Sequence, residues 1–254
     1  MSIHVWEAMG TYVSVRIPER YYDFRDKAIE GAKKIIQLLE NEYSLYQETS
    51  PISRLARKEL LLSEMSEEFL DTYARAIEWR NETGGSFTPH RGDGVIDLSG
   101  IVKADAIAAA SAVLQAHGIE TFSFNFGGDI RVAGERKWQV AVGHPTKPLE
   151  TSLTVTLDSV NSAIATSGTF DRGEHIWRSV NHENKIISAT VVSNDIVTSD
   201  VWATAIISGG PQTAAEASAR GAAVLYFTED LEANANEKMR GLINEVTERK
   251  MVLA

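Results

Sequence analysis

The sequence predicts an α+β fold. Long helical patterns fill much of its first half, consecutive short strand patterns fill much of its second, and no linker or repeat of fixed period separates them. A chain of 254 residues is long enough to bury a sizeable core, and we read residues 1–254 as a single α+β domain with room for two lobes. At 43% hydrophobic and 24% charged residues, with no low-complexity tract, the composition is that of a soluble globular protein. The formal charge of −10, with no basic cluster to offset it, argues against a nucleic-acid partner held through its phosphates. The absence of cysteine excludes disulfides, thiolate metal sites and cysteine nucleophiles together, and leaves no cysteine for a lipid anchor. No basic stretch precedes an apolar one at the N-terminus, and no apolar run approaches membrane-spanning length. A cytoplasmic protein without membrane insertion is the expectation.

Taken in order, residues 3–8 and 11–17 read as two strands, since Thr11, Val13, Val15 and Ile17 alternate with Tyr12, Ser14 and Arg16 after a Met9-Gly10 turn. A helix is predicted over 21–43, with Ala28, Ala32, Ile35, Ile36, Leu39 and Tyr43 along one side. Ser50-Pro51 breaks it, and a second helix over 64–83 carries Phe69, Tyr73, Ile77 and Arg80. A turn-rich loop with several glycines and Pro89 spans 83–94. It leads through a short strand and a corner at Gly100 into an alanine-rich helix over about 102–117, stopped by Gly118. Strands follow at 120–125, 129–133, 138–143, 152–157 and 161–166, then an irregular polar segment over 169–186 and a strand over 186–193. The stretch VTSDVWATAIISGG at 197–210 reads as the start of a buried helix whose first turn Thr198 and Ser199 can cap. A further helix at about 211–220, a strand at 222–228, an acidic loop and a closing strand near 251 complete the chain.

Asp200 and Thr204 are four residues apart, so a helix places a carboxylate and a hydroxyl on one face, one turn apart. Two hard oxygen donors so placed suit Mg2+ completed by water, backbone carbonyls and a phosphate; a capping Asp and a Thr bonding back to its helix account for the same pattern. GGSF at 84–87 and FGGD at 126–129 permit close backbone approach to a ligand, or simply make turns. DLSGIVK at 97–103 puts a carboxylate, a glycine and a lysine at a helix entry, where an anion docks or a lysine is merely solvated. TSG at 166–168 either binds a phosphate or closes a hairpin.

Their succession says more than any member. MGT at 9–11, SLY and SPISRL within 44–55, GGSF, DLSGIVKADA at 97–106, NFGGDI at 125–130, AIATSGTFDR at 163–172, HIW at 175–177 and SDVWATAIISGG at 199–210 follow one another. That order resembles the ApbE family of flavin transferases (FAD:protein FMN transferases) over roughly residues 5–210. DLSGIVKADA, ATSG and the Asp200-x-x-Ala203-Thr204 pattern are its most specific parts. The resemblance implies a T-fold-related arrangement of mixed sheets and packed helices, with FAD in a cleft between two lobes and Mg2+ on its diphosphate. Asp200 and Thr204 match the metal side chains, with backbone oxygens implied at Gly100 and Ala203. Met9, Tyr46, Ser86, Phe87, Thr88, Asp97, Lys103 and Ile176 fall at flavin or adenine contact positions. Gly127, Gly128 and Asp129 occupy the glycine turn lining the site, Thr166 lies in ATSG, and His175 matches the catalytic histidine.

The implied reaction is transfer of FMN from FAD to a Thr or Ser hydroxyl of an acceptor protein, with release of AMP. Lys103 and Mg2+ would neutralise the diphosphate, and His175 would take the acceptor proton. Mn2+ and Ca2+ share the preference for oxygen. Two other readings use the same site: a protein that binds FAD without transferring it, and an FAD pyrophosphatase giving FMN and AMP. Three features depart from the family pattern. Thr88-Pro89-His90 stands where Asp-Pro-Thr is usual, the segment from there to Asp97 is short, and HIWRSVNHENKIIS lacks the usual Asp and Pro after His175-Ile176.

Overall fold

Alternation of β-branched and polar residues at the N-terminus produces a hairpin in the computed structural model, which describes residues 1–147, 149–168 and 185–246. Strand β1 (Ser2–Ala8) pairs antiparallel with β2 (Thr11–Ile17), from Ala8 opposite Thr11 to Ser2 opposite Ile17. Met9 and Gly10 turn the chain with φ of 46° and 71°, as a two-residue hairpin requires. Every second residue of β2 then points inward, so Val13, Val15 and Ile17 are wholly buried while Tyr12 is exposed.

The chain divides into two compact units, Met1–Gly127 and Gly128–Ala254. In the first, α1 (Tyr22–Tyr43) buries Ala28, Ile29, Ala32, Ile36 and Tyr43, close to the predicted stripe. The short α2 (Pro51–Ala56) begins where Ser50 accepts the Ser53 amide and Pro51 supplies a preset φ. The next helix, α3 (Glu67–Glu82), is capped by Ser66, whose hydroxyl accepts the Phe69 amide. It buries Phe69, Thr72 and Ala76, so the inward stripe is rotated by about one residue from the one expected through Tyr73 and Ile77. The small Ala76 and Thr72 let the helix approach its neighbours, and the Tyr43 hydroxyl meets Thr72 at 3.1 Å.

Helix α4 (Ser99–Ala116) begins three residues before its predicted start near 102, and Gly100 lies inside its first turn instead of at a corner before it. The reason is local: Asp97 Oδ1 accepts the Ser99 amide, and the Leu98 carbonyl accepts the amides of Ile101 and Val102. The strand expected ahead of it shrinks to a single bridge between Ile96 and His90. Buried residues run around most of α4, including Ile101, Ala104, Ile107, Ala110 and Leu114. Helix α1 comes close enough that a Cβ on Gly31 would lie 2.8 Å from Val113 Cγ1. Strand β3 (Phe122–Phe126) pairs with β2, with Phe126 opposite Val13.

The second unit holds β4 (Asp129–Ala133), β5 (Trp138–Gly143), β6 (Thr151–Leu157), β7 (Ala163–Gly168) and β8 (Ile186–Ser193). After them come α5 (Ile196–Ala219), β9 (Ala223–Thr228), β10 (Ala233–Ala235), α6 (Glu237–Leu242) and β11 (Ile243–Val246). Strands run β4-β7-β8-β9-β10 across one sheet, and β11-β6-β5 form another. Trp138, Val140, Leu153, Val155 and Leu157 from the small sheet share one core with Ile164, Val192, Leu225 and Phe227 from the larger. Burying each large apolar side chain there is worth about 1.5–3 kcal/mol.

Helix α5 starts earlier than expected, because Asp195, not Thr198 or Ser199, is its cap: Asp195 Oδ2 accepts both the Thr198 amide at 2.7 Å and the Thr198 hydroxyl at 2.8 Å. The further helix expected from about 211 is present: the backbone leaves helical geometry at Gly210, where φ is 76° and Pro211 follows, so α5 comprises two helices joined at a kink. The expected acidic loop contains β10, α6 and β11, all short. Asn236 organises them: its Oδ1 caps α6 at Met239 and also accepts the Val224 amide, while its Nδ2 donates to the Ala222 carbonyl. The strand expected near 251 lies outside the described residues.

Candidate active site

In the first unit the predicted residues gather around the entry to α4. Phe87 is 3% exposed, and its amide donates to the hydroxyl of the buried Thr83 at 3.0 Å. Its ring rests on Gly100, so the GGSF turn and the DLSG helix entry are packed directly on one another. Ser86 is partly exposed, and its amide donates to the Thr83 carbonyl. The Thr88 hydroxyl accepts the His90 amide at 3.2 Å. The Pro89 carbonyl accepts the Asp97 amide at 2.8 Å, closing 89–97 into a small hairpin at the foot of α4. His90 Nε2 meets the Tyr73 hydroxyl at 2.8 Å, which ties that hairpin to α3. Asp97 lies at a predicted contact position just before α4, and its Oδ1 accepts the amide of Ser99, the first residue of that helix. Gly100 and Lys103 are three residues apart on α4 and therefore neighbours on its surface, with Lys103 partly exposed.

Met9 stands in the β1–β2 turn, and Tyr46 is 99% exposed after the end of α1. Gly127 closes the first unit with φ of 60°. A Cβ there would meet Thr11 Cγ2 at 3.0 Å, so this glycine is required by close approach as well as by conformation.

The second unit contributes a line of oxygens. Gly128, with φ of 98°, leads into Asp129, which is wholly buried at the start of β4. Asp129 Oδ1 accepts the Thr166 amide at 3.0 Å, and the Thr166 hydroxyl meets that of Thr190 at 2.9 Å. TSG forms the end of β7, with Thr166, Ser167 and Gly168 opposite Thr190, Ala189 and Ser188 of the antiparallel β8.

Successive strand residues face opposite ways, and Ser167 Oγ meets Thr204 Oγ1 of α5 at 3.0 Å. Asp200, one turn before Thr204, is 3% exposed, and Ala203 is wholly buried. Asp195 caps the helix, so Asp200 is not its cap. His175 and Ile176 lie outside the described residues.

Among the described residues, no three or more His, Cys, Asp or Glu side chains gather into a group able to hold a metal ion. Asp200 and Thr204 offer instead one carboxylate and one hydroxyl. That sparse oxygen set suits Mg2+, which keeps several waters and is completed by substrate phosphates. Thr83, Thr190 and the Tyr73–His90 contact escaped the sequence reading. Each works through a partner that no local pattern announces, and only the packed fold shows what it meets. Among the described residues, no helix is long and apolar enough to cross a membrane.

The ApbE family matches residues 9–95 and 89–226. An FAD:protein FMN transferase of Vibrio cholerae serotype O1 is 29% identical over 134 residues, 46% of this chain and 39% of that protein. The match thus spans about two fifths of the relative's length. The flavin transferase ApbE from Vibrio cholerae has a similar structure, with a TM-score of 0.74 at 21% identity, over 95% of this chain and 98% of that one. The ApbE protein from Thermotoga maritima gives 0.76 at 17% identity, over 96% and 99%. The flavinyl transferase ApbE from Pseudomonas stutzeri, in its apo form, gives 0.75 at 17% identity, over 95% and 96%. At those identities the likeness establishes the fold, an α+β arrangement of antiparallel sheets and helices.

Proposed function

The chain belongs to the ApbE family, and from that premise we propose that it transfers FMN from FAD to a Thr or Ser hydroxyl of an acceptor protein, releasing AMP. The observation that carries the reading is the pairing of Asp200 and Thr204 on α5, with Asp195 as the cap of that helix. A buried carboxylate that is not needed to start its helix, one turn before a hydroxyl, fits the metal end of a diphosphate site.

In this reading the acceptor oxygen attacks the phosphorus of the FMN half. A new P–O bond forms, the P–O–P bridge breaks, and AMP leaves with the bridging oxygen. His175 takes the proton of the attacking hydroxyl. Lys103, on the exposed side of α4 near its entry, places positive charge for the phosphates. Asp200 and Thr204, with the carbonyls of Gly100 and Ala203, would hold Mg2+, which when bound supplies charge neutralisation for the departing phosphate. Met9, Tyr46, Ser86, Phe87, Thr88, Asp97 and Ile176 would meet the flavin and adenine. Gly127, Gly128, Asp129 and Thr166 would provide the close backbone wall, where the open space beside Gly128 allows a ligand to approach.

The test is an FAD titration of the purified protein with and without Mg2+, following flavin fluorescence and assaying AMP in the same samples, with and without a Thr-containing acceptor protein. Mg2+-dependent binding with AMP release and covalent flavin on the acceptor supports transfer. AMP release without covalent flavin makes the protein a pyrophosphatase. Binding with neither makes it a flavin-binding protein, and no binding overturns the reading.

A further inference from the structure

We propose that Ser167 is a positioning residue for Thr204, fixing the direction of the Thr204 hydroxyl so that its oxygen is presented to a divalent cation. The inference rests on the metal reading of Asp200 and Thr204 and concerns how this chain prepares that site.

Ser167 Oγ and Thr204 Oγ1 are 3.0 Å apart, and either can donate. A threonine hydroxyl has one proton and two lone pairs. As a metal ligand it must offer a lone pair, so its proton has to go to another acceptor. Ser167 Oγ is at the right distance to be that acceptor. Once it accepts from Thr204, its own proton is left to donate outward to an anionic oxygen. One hydrogen bond thereby sets both hydroxyls in the sense that a cation with a phosphate beside it needs.

The framework around the pair is stiff. Ser167 is held in β7 opposite Ala189, between the wholly buried Ala165 and the end of the strand. Thr204 is held on α5 between the wholly buried Ala203 and Ala205. Ala163 and Ala165 share the face of Ser167, and their small side chains let α5 pack close to the strand. The same contact continues one turn and more upstream, where the Ser199 hydroxyl reaches the Ala163 carbonyl at 3.4 Å. Partners of this kind, outside the coordination sphere but bonded to a ligand, commonly govern metal affinity by ten- to a hundredfold.

The experiment measures Mn2+ binding to the full chain by electron paramagnetic resonance at saturating FAD, for wild type, Ser167→Ala, Ser167→Thr, Thr204→Val, Asp200→Ala and the double variant Ser167→Ala/Thr204→Val. Ser167→Ala is expected to weaken Mn2+ about tenfold, and Ser167→Thr, which keeps a hydroxyl, to restore most of the loss. Because Ser167 acts through Thr204, the double variant should bind no more weakly than Thr204→Val alone. Unchanged affinity in Ser167→Ala, with Asp200→Ala weakened, overturns the inference and leaves the metal reading standing. So do additive losses in the double variant, which would make Ser167 an independent ligand. Absence of Mn2+ binding in wild type, or binding unchanged in both Asp200→Ala and Thr204→Val, overturns the metal reading and the inference with it.

Discussion

The ring of Phe87 lies against Gly100 so closely that a Cβ on Gly100 would meet Phe87 Cε2 at 2.9 Å. Two motifs separated in sequence are thus held as one packed unit at the entry to α4. Gly100→Ala gains helix propensity of up to about 1 kcal/mol, but overpacking a rigid ring costs about 1–3 kcal/mol, so net destabilisation is expected. Phe87→Leu in the same chain should recover part of the loss by removing the ring edge. Urea unfolding of the three proteins checks this, and a Gly100→Ala variant as stable as wild type would mean that the ring swings aside freely.

Asp129 should hold the end of β7. With Asp129→Ala, the Thr166 amide loses its carboxylate acceptor, at a cost of about 1–3 kcal/mol. Amide hydrogen exchange at Thr166 should accelerate more than at the other β7 amides. Uniform acceleration along the strand would show that Asp129 stabilises the unit as a whole.

Arg75 on α3 grips Asp105 on α4 with two parallel hydrogen bonds of 2.8 and 2.7 Å, and its hydrogen bonds to that carboxylate raise the arginine pKa above its ordinary value. The Arg75 side chain is 45% exposed and that of Asp105 16%. Solvent screening therefore limits the pair to about 0.5–1 kcal/mol. Asp105→Asn should lower the melting temperature modestly, and the gap from wild type should narrow in molar salt. A gap indifferent to salt would point to packing instead of charge.

His4 on β1 has its pKa lowered, first by burial and then by the positive charges of Arg25 and Lys33, against an opposing pull from Asp26. The folded state therefore prefers the neutral ring. Above the unfolded value of about 6.5 the stability is fully present, and it declines as pH falls from there through the lowered folded value. His4→Gln should flatten the stability profile over that interval, as measured by denaturant midpoints at successive pH values. A profile of unchanged slope would assign the pH dependence elsewhere.

In the proposed reaction, Asp200→Ala should abolish metal-dependent FAD binding. His175→Ala should leave FAD binding intact and lower AMP release by about 10²–10⁴-fold, the usual worth of a positioned proton acceptor. Calorimetry of FAD binding and an AMP assay separate the two effects. Loss of FAD binding in His175→Ala would make that residue a binding group.

Much of the local structure was legible because it depends on neighbours in sequence. The period-two alternation at 11–17 became β2, and the apolar stripe on 21–43 became α1. The glycines at 127 and 128 took the positive φ that their turn requires. What escaped were choices decided by side chains meeting across the fold. The start of α5 moved back because the Asp195 carboxylate accepts from Thr198. The inward face of α3 turned from Tyr73 towards Thr72 because Thr72 bonds to the Tyr43 hydroxyl on another helix. The short β10, α6 and β11 carry too few residues to show a period.

The sequence by itself pointed to the family, through the order and spacing of its motifs, and the family model matches residues 9–95 and 89–226. It also determined most strands and helices, since their periodicity is a local property of the chain. Only the tertiary structure decided how each motif is built into the fold. It made 166–168 a strand end and Gly100 a helical residue under the ring of Phe87. It also brought Ser167 within 3.0 Å of Thr204. Those outcomes turn on contacts between residues far apart in sequence, and such contacts exist only once the burial of the core has brought strands and helices together.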